Sequence, residues 1–356
     1  MKVSVPSSYL GHESAKMLAV GNGDVSTGPA RAPDIGPLWD DGCSCGRVLK
    51  VESETFWVLI SARCKTRRVV AMDAARCTLA VTMASSGQAF REFEQAGWES
   101  ASVVAKYHEH ISAVTTQSVE ALLDAAGIRS GSRVLDVATG AGYIAGAAAQ
   151  RGADAIGIDF SAAQVQMARD RYPCLRFEQA DAEALPFDSQ SFDAVVNGFG
   201  MCHFPNPDIA LREVFRVLKG GGRIAFTVWD IPERAVGFGA VYAAVRAHGS
   251  VGVGPPAGPN FFLLSDPERG TKALLTAGFV SPSCRQVPQV WRLSDPDEVF
   301  QSLVEGTVRA AATIRAQSPP AREAIRAAIR NAVAGYRRGD SYEVPMSAAL
   351  ATAVKP

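Results

Sequence analysis

The stretch Val134-Leu-Asp-Val-Ala-Thr-Gly-Ala-Gly142 combines an apolar run, one carboxylate and two glycines that lie one residue apart. The apolar run predicts a buried strand, and the glycines predict a tight turn that opens the following helix. At such a turn a ligand can approach the backbone closely and meet the N–H groups of the helix N-terminus. The stretch therefore predicts a nucleotide-like ligand held between a strand and a helix.

The same residues also satisfy the fingerprint of dinucleotide-binding proteins. Gly140-Ala-Gly142-Tyr-Ile-Ala145 follows the predicted strand, and Asp159 lies at about the spacing of an acid that binds a ribose. The glycine turn alone leaves a dehydrogenase and a methyltransferase equally open. Asp136 favours the second, because a carboxylate inside the turn repels a pyrophosphate but suits a ligand that carries an ammonium and a sulfonium.

The chain from Thr115 onward alternates between apolar runs of strand length and helical patterns, which predicts a parallel sheet flanked by helices. Ser161 is a natural N-cap for one of these helices. The predicted strands are 133–138, 155–158, 175–179, 194–199, 223–228, 287–293 and 347–354. The predicted helices are 119–126, 143–150, 161–172, 209–218, 267–277, 296–316 and 321–336.

The composition excludes several classes of protein. Lys plus Arg and Asp plus Glu both number 36, so no net field attracts nucleic acid. Seven cysteines are an odd number, which argues against a disulfide framework and favours a reducing, cytoplasmic compartment. Cys43 and Cys45 are too closely spaced for a typical zinc site and have no histidine nearby, so we predict no metal. No apolar run is long enough to predict a membrane span.

Two further segments, Ala180-Asp-Ala-Glu-Ala-Leu-Pro-Phe187 and Arg216-Val-Leu-Lys-Gly-Gly-Gly-Arg223, complete a recognisable set of motifs. With them, the sequence from about Phe90 to the C-terminus resembles the class I S-adenosylmethionine-dependent methyltransferases. The resemblance is to the small-molecule branch that includes the ubiquinone and menaquinone biosynthesis methyltransferases. It implies a Rossmann-like α/β fold: a mostly parallel seven-stranded sheet with helices on both faces and an antiparallel final strand. It also implies S-adenosylmethionine as cofactor and methyl transfer to a small-molecule acceptor.

The resemblance assigns the cofactor-binding residues to the carboxyl ends of the predicted strands. Asp159 would accept both ribose hydroxyls, Phe160 would lie against the adenine, and Asp181 would bond the exocyclic amine of the adenine. The remaining cofactor-binding residues are Asp136, Thr139, Gly140 and Gly142 of the glycine turn, together with Ala182 and Asn197.

The acceptor side is assigned to residues outside the common sheet. His203 is the candidate general base, and a structural histidine is the alternative, because the sequence supplies no orienting partner for it. Tyr107, on an N-terminal helix, is a candidate lid residue. The glycine-rich loop 249–258 with Phe261 and Phe262 is a second candidate lid over an apolar acceptor, with a flexible connection as the alternative.

Residues 1–82 are interrupted by Gly, Ser, Pro and Asp, which predicts a poorly structured N-terminal extension; a small N-terminal domain is the alternative. We expect Met83 to be the functional start. Residues 83–356 would then form the methyltransferase domain, with an N-terminal helical cap and a helical insertion near the C-terminus. A non-catalytic protein that binds S-adenosylmethionine and an NAD-dependent oxidoreductase remain as alternative functions.

Overall fold

The computed structural model describes residues 46–50, 57–61 and 87–356. The chain divides into two units, Met1–Ala84 and Ser85–Pro356. Two antiparallel strands, β1 (Gly46–Lys50) and β2 (Trp57–Ser61), belong to the first unit. The rest of residues 1–82 lies outside the described residues, so the poorly structured extension stays a prediction.

The second unit alternates strands and helices along most of its length. Its strands are β3 (Arg133–Val137), β4 (Asp154–Asp159), β5 (Arg176–Gln179), β6 (Phe192–Gly198), β7 (Leu218–Trp229), β8 (Val280–Val287), β9 (Val290–Leu293), β10 (Arg337–Arg338), β11 (Ser341–Pro345) and β12 (Ala348–Val354). Its helices are α1 (87–98), α2 (Ala101–His110), α3 (Ser112–Thr115), α4 (Val119–Ala125), α5 (Tyr143–Gln150), α6 (Ala162–Arg171), α7 (Pro207–Val217), α8 (Val236–His248), α9 (Pro267–Thr276), α10 (Glu298–Gly306), α11 (Arg309–Arg315) and α12 (Pro319–Ala334).

Seven strands form one sheet in the order β5-β4-β3-β6-β7-β12-β8. The five strands from β5 to β7 run parallel, and the final strand β12 is antiparallel to both of its neighbours. This confirms the predicted sheet. The strand order reverses between β3 and β6, and ligands of open α/β sheets bind in the crevice at the carboxyl ends of strands at such a reversal.

Helices cover both faces of this sheet because successive residues of a strand point to opposite sides. Val134 and Val196 pack into one core cluster with residues of α4 and α5. Leu135 and Val137 pack into a second cluster with residues of α7 and α9. The strands are therefore buried on both sides, which explains their almost continuously apolar sequences.

Two predicted elements are wrong in their extent. The predicted helix 296–316 is divided into α10 and α11 at Thr307 and Val308, where the Thr307 hydroxyl donates to the carbonyl of Leu303 at 2.6 Å. The predicted strand 287–293 contains Pro288, which has no N–H to donate. Its two halves belong to different sheets, β8 to the large one and β9 to a three-stranded sheet with β10 and β11.

None of the helices in the described part of the chain has the length and apolar character that a membrane crossing requires.

Candidate active site

The glycine turn lies directly after β3, at the reversal of the strand order. Gly140 (φ 55°) and Gly142 (φ 79°) both have left-handed backbone, which glycine adopts without strain. Gly142 is the N-cap of α5. Ala138, just before the turn, and Phe199, just after β6, have similar values of 55° and 60° despite their side chains. Left-handed non-glycine residues of this kind cluster at functional sites.

Asp136 lies beneath the turn and is fully buried. Its Oδ2 atom accepts hydrogen bonds from the Thr139 hydroxyl at 2.6 Å and from the backbone N–H of Ala145 at 3.1 Å. The carboxylate thereby fixes the turn to the first residues of α5. Its Oδ1 atom is buried without a hydrogen-bond partner among the described residues. Burial raises the pKa of Asp136 to about 7, although the hydrogen bonds from Thr139 and Ala145 lower it.

Asp159, at the end of β4, links the glycine turn to the next helix. Its two oxygens accept hydrogen bonds from the backbone N–H groups of Gly140 at 2.9 Å and of Ser161 at 3.0 Å. Burial raises its pKa to about 6, although both of these bonds lower it. Each carboxylate oxygen has a further lone-pair site, so Asp159 can still accept bonds from a ligand's hydroxyl groups.

A cavity of about 100 Å³ lies at the carboxyl ends of β3, β4 and β6. It is lined by six of the predicted site residues, which are Tyr107, Thr139, Gly140, Asp159, Phe160 and His203. An adjoining cavity of about 30 Å³ is lined by Asp159, Phe160, Asp181, Ala182 and His203 of the predicted set. The fold therefore brings together most of the residues that the sequence selected.

Asp181 already has partners for both of its oxygens. Oδ1 accepts the backbone N–H of Glu183 at 2.8 Å, and Oδ2 forms an ion pair with Arg91 of α1. Arg91 also pairs with Glu183, whose side chain is almost fully buried. The resemblance assigns Asp181 to the exocyclic amine of the adenine. In the structure Asp181 also pairs with Arg91, which the sequence did not predict as a site residue.

His203 has an orienting partner that the sequence did not reveal. Its Nδ1 atom lies 2.9 Å from Oε2 of Glu94, a fully buried side chain on α1. Trp98, one turn later on α1, donates its indole N–H to the same oxygen at 3.1 Å. An ionised carboxylate only accepts hydrogen bonds, so Nδ1 carries a proton, which leaves Nε2 of neutral His203 free to accept one. Burial alone lowers the pKa of His203, but Cys202 and Glu94 raise it to about 10.

An aromatic cavity of about 20 Å³ adjoins His203, and its lining includes no residue of the glycine turn. Its seven aromatic side chains come from six parts of the fold and are Trp98, Tyr107, Phe199, Trp229, Phe238, Tyr242 and Phe261. Arg309 also lines this cavity; its guanidinium donates to the carbonyls of Cys202 at 3.1 Å and Pro259 at 2.8 Å, and its Nε lies 3.9 Å from Glu94. Burial raises the pKa of Tyr107 well above its usual range, so the phenol stays neutral.

Four predicted site residues do not line these cavities. Asp136 and Gly142 support the turn from below, as described above. Asn197 is buried and uses its amide within the protein: it donates to the carbonyl of Val137 at 2.7 Å and accepts the N–H of Gly200 at 3.1 Å. Phe262 packs edge-to-face against Tyr242, with ring centroids 5.5 Å apart.

Comparison with known proteins identifies a family to which part of this chain is similar. A family model for a methyltransferase domain matches residues 135–226, from β3 to β7. Residues 135–226 are a methyltransferase domain. The matched segment contains the glycine turn, Asp159, Asp181 and His203, so the predicted recognition is confirmed for this part of the chain.

Curated relatives match this chain over a similar number of residues. The demethylmenaquinone methyltransferase of Renibacterium salmoninarum is 40% identical over 111 residues, which are 31% of this chain and 47% of the relative. The ubiquinone/menaquinone biosynthesis C-methyltransferase of Idiomarina loihiensis is 36% identical over 122 residues, 32% of this chain and 49% of the relative. The chain thus spans about half the length of the curated relatives it matches. A solved putative methyltransferase from Bacillus halodurans is 22% identical, with a TM-score of 0.43 over 67% of this chain and 98% of that one.

The chemistry of the cavity fits S-adenosylmethionine. Asp159 lines the cavity and provides lone pairs beside the glycine turn, and Asp136 supports that turn from below with one oxygen that has no partner among the described residues. Two carboxylates at the turn suit a ligand with positive charge and hydroxyl groups, and repel a pyrophosphate.

Proposed function

We propose that this chain transfers the methyl group of S-adenosylmethionine to a small-molecule acceptor by direct in-line displacement. One observation carries the proposal: the cavity at the glycine turn and the aromatic cavity share Trp98, Tyr107, Phe199 and His203 as lining residues. A cofactor in the first cavity and an acceptor in the second would meet at these four side chains.

Bound S-adenosylmethionine would supply an activated methyl group on a sulfonium. The protein's task is then to hold the acceptor in line with that group and to keep water out. Asp159 would hold the ribose, and Phe160 and Ala182 would line the adenine site. The buried aromatic side chains around His203 exclude water from the place where acceptor and methyl group meet.

His203 would act as the general base for an acceptor that carries an acidic hydroxyl. A pKa of about 10 keeps most of His203 protonated at neutral pH, so the step uses its neutral fraction. Nε2 of that form takes the hydroxyl proton, and the Glu94 carboxylate stabilises the imidazolium that forms. The electron pair that the proton leaves on the acceptor forms the new bond to the methyl carbon. The methyl–sulfur bond breaks at the same time and its electron pair goes to sulfur, which becomes a neutral thioether.

The charges beside the aromatic cavity favour such an acceptor over an amine. Arg309 and protonated His203 are two cations against the single carboxylate of Glu94. An ammonium acceptor would be repelled by the surplus positive charge, whereas an ionised hydroxyl on an apolar ring would be attracted. Two relatives are named as a demethylmenaquinone methyltransferase and as a C-methyltransferase of ubiquinone/menaquinone biosynthesis, so reduced quinones are the first acceptors to test.

The proposal is tested by titration calorimetry of the full chain with S-adenosylmethionine, S-adenosylhomocysteine and NAD. We expect micromolar binding of the first two, no binding of NAD, and a loss of affinity of at least about tenfold in Asp159→Ala, which removes an acceptor of two hydroxyl bonds. Binding of NAD alone would refute the proposed cofactor. Cofactor binding without methyl transfer to any phenolic or quinol acceptor would favour the non-catalytic alternative.

A further inference from the structure

His108 lies over the glycine turn and, like His203, lines the first cavity. It belongs to α2, and its ring packs against Tyr143, the first residue of α5, with centroids 5.6 Å apart. A methyl group placed on Gly140 would lie 4.0 Å from Cε1 of His108 and 3.7 Å from Oε1 of Gln164. His108 and Gln164 therefore form a wall that faces the backbone of the turn.

The imidazole of His108 has one nitrogen in use and one free. Nε2 lies 2.9 Å from Oε1 of Gln164, and because that oxygen accepts, Nε2 carries the ring proton. Nδ1 is buried and has no hydrogen-bond partner among the described residues. Burial lowers the pKa of His108, so the ring is neutral at physiological pH and Nδ1 offers a lone pair. A buried acceptor without a partner is costly unless a ligand satisfies it.

One part of the cofactor remains to be placed beside His108 and Gln164. Under the proposed function, the nucleoside would lie at Asp159 and the adjoining small cavity, and the methyl group would lie beside His203, which also lines the aromatic cavity. The amino-acid end, which carries an ammonium and a carboxylate, then faces His108 and Gln164. Nδ1 of neutral imidazole accepts a hydrogen bond from an ammonium, and the Gln164 amide has two N–H donors for a carboxylate.

We propose that His108, held by Gln164, binds the amino-acid end of S-adenosylmethionine, with Nδ1 as acceptor for its ammonium group. This inference rests on the proposed function. It assigns to α2, outside the matched methyltransferase domain, the recognition of the part of the cofactor that distinguishes it from other adenosine compounds.

The test compares two ligands by calorimetry on the full chain. S-adenosylhomocysteine carries the amino-acid end, and 5′-methylthioadenosine has the same nucleoside and sulfur without it. His108→Phe keeps a ring against Tyr143 but removes both nitrogens. His110→Phe is the matched control, because His110 is on the same helix and faces Glu305 at 3.6 Å instead of the cavity.

We expect His108→Phe to weaken S-adenosylhomocysteine binding by about tenfold or more, as for the loss of a hydrogen bond to a charged group. Its affinity for 5′-methylthioadenosine should stay within about twofold of the wild type, which also reports that the variant is folded, and His110→Phe should change neither. Equal losses for the two ligands, or no loss for either, would overturn the role of His108. Failure of the wild type to bind either ligand would instead refute the proposed function.

Discussion

The buried pair of Glu94 and His203 predicts how the stability of the protein depends on pH. Burial alone lowers the pKa of His203, but Cys202 and Glu94 raise it to about 10, from about 6.5 for an unperturbed histidine. A group whose pKa is raised by folding contributes its full stabilisation below the unfolded pKa and loses it as the pH rises through the folded pKa. The contribution of this pair therefore declines between about pH 6.5 and pH 10.

The size of the effect follows from the burial of the two side chains. Glu94 is fully buried and accepts from both His203 at 2.9 Å and Trp98 at 3.1 Å, whereas the His203 side chain is 22% exposed. Breaking a buried ion pair costs about 3–5 kcal/mol, and the exposed edge of His203 places Glu94→Gln near 3 kcal/mol at about pH 6. At about pH 10 and above, His203 is neutral and only donates a hydrogen bond to the Glu94 carboxylate, so the difference should fall to about 1.5 kcal/mol.

Urea unfolding of the wild type and Glu94→Gln at a series of pH values measures this difference directly. Asp297→Asn is the control, because the hydrogen bond from Arg326 lowers the pKa of the nearly buried Asp297, and that contribution is lost only in acid. The free-energy difference for Asp297→Asn should stay constant between about pH 6 and pH 10. A constant difference for Glu94→Gln over the same range would refute the charged pair.

Three further predictions concern the turn, the ribose site and the N-terminus. Gly142→Ala should destabilise the protein by about 2 kcal/mol in thermal unfolding, because its φ is 79° and the added methyl would lie 2.8 Å from Cζ of Phe177; an unchanged melting temperature would contradict this. Calorimetric affinity for S-adenosylhomocysteine should fall as the pH drops below about 6, because the raised pKa of Asp159 removes the carboxylate there; a flat profile from pH 5 to 8 would contradict it. A chain that begins at Met83 should fold and bind cofactor as well as the full chain, and loss of cooperative unfolding would show that the first 82 residues are required.

The elements that the sequence predicted well have local signals. Helix α5 begins and ends where it was predicted, because the glycine turn fixes its start. Ser161 caps α6 as expected, accepting the N–H of Gln164 at 3.1 Å. A strand buried on both faces and an N-cap are both decided by a few neighbouring residues, so a single sequence contains the information.

The partners of the site residues lack such signals. Glu94 and His203 are 109 residues apart, and Arg91 and Asp181 are 90 residues apart. Both pairs depend on where α1 docks against the ends of the strands, which no local pattern specifies. Glu94 and Trp98 are one turn apart on α1, and this spacing was the one available hint that they share a face.

Helix α8 was missed because two glycines interrupt its sequence, and glycine disfavours a helix interior. Tertiary packing explains both. A methyl group on Gly237 would lie 2.8 Å from the sulfur of Met346, and one on Gly239 would overlap the carbonyl oxygen of Pro232. The helix needs glycine where its neighbours approach closely, a requirement that only the folded structure reveals.

The left-handed backbone at Ala138 and Phe199 has a consequence for engineering thermostability. Each residue keeps a side chain at a conformation that costs about 1–2 kcal/mol relative to glycine. Replacing Ala138 by glycine would recover part of that energy at the cost of one methyl group. The same replacement at Phe199 would remove the ring that packs 4.4 Å from Trp229 and lines the aromatic cavity. At Phe199, a substitution that increases thermostability would therefore also disrupt the aromatic cavity.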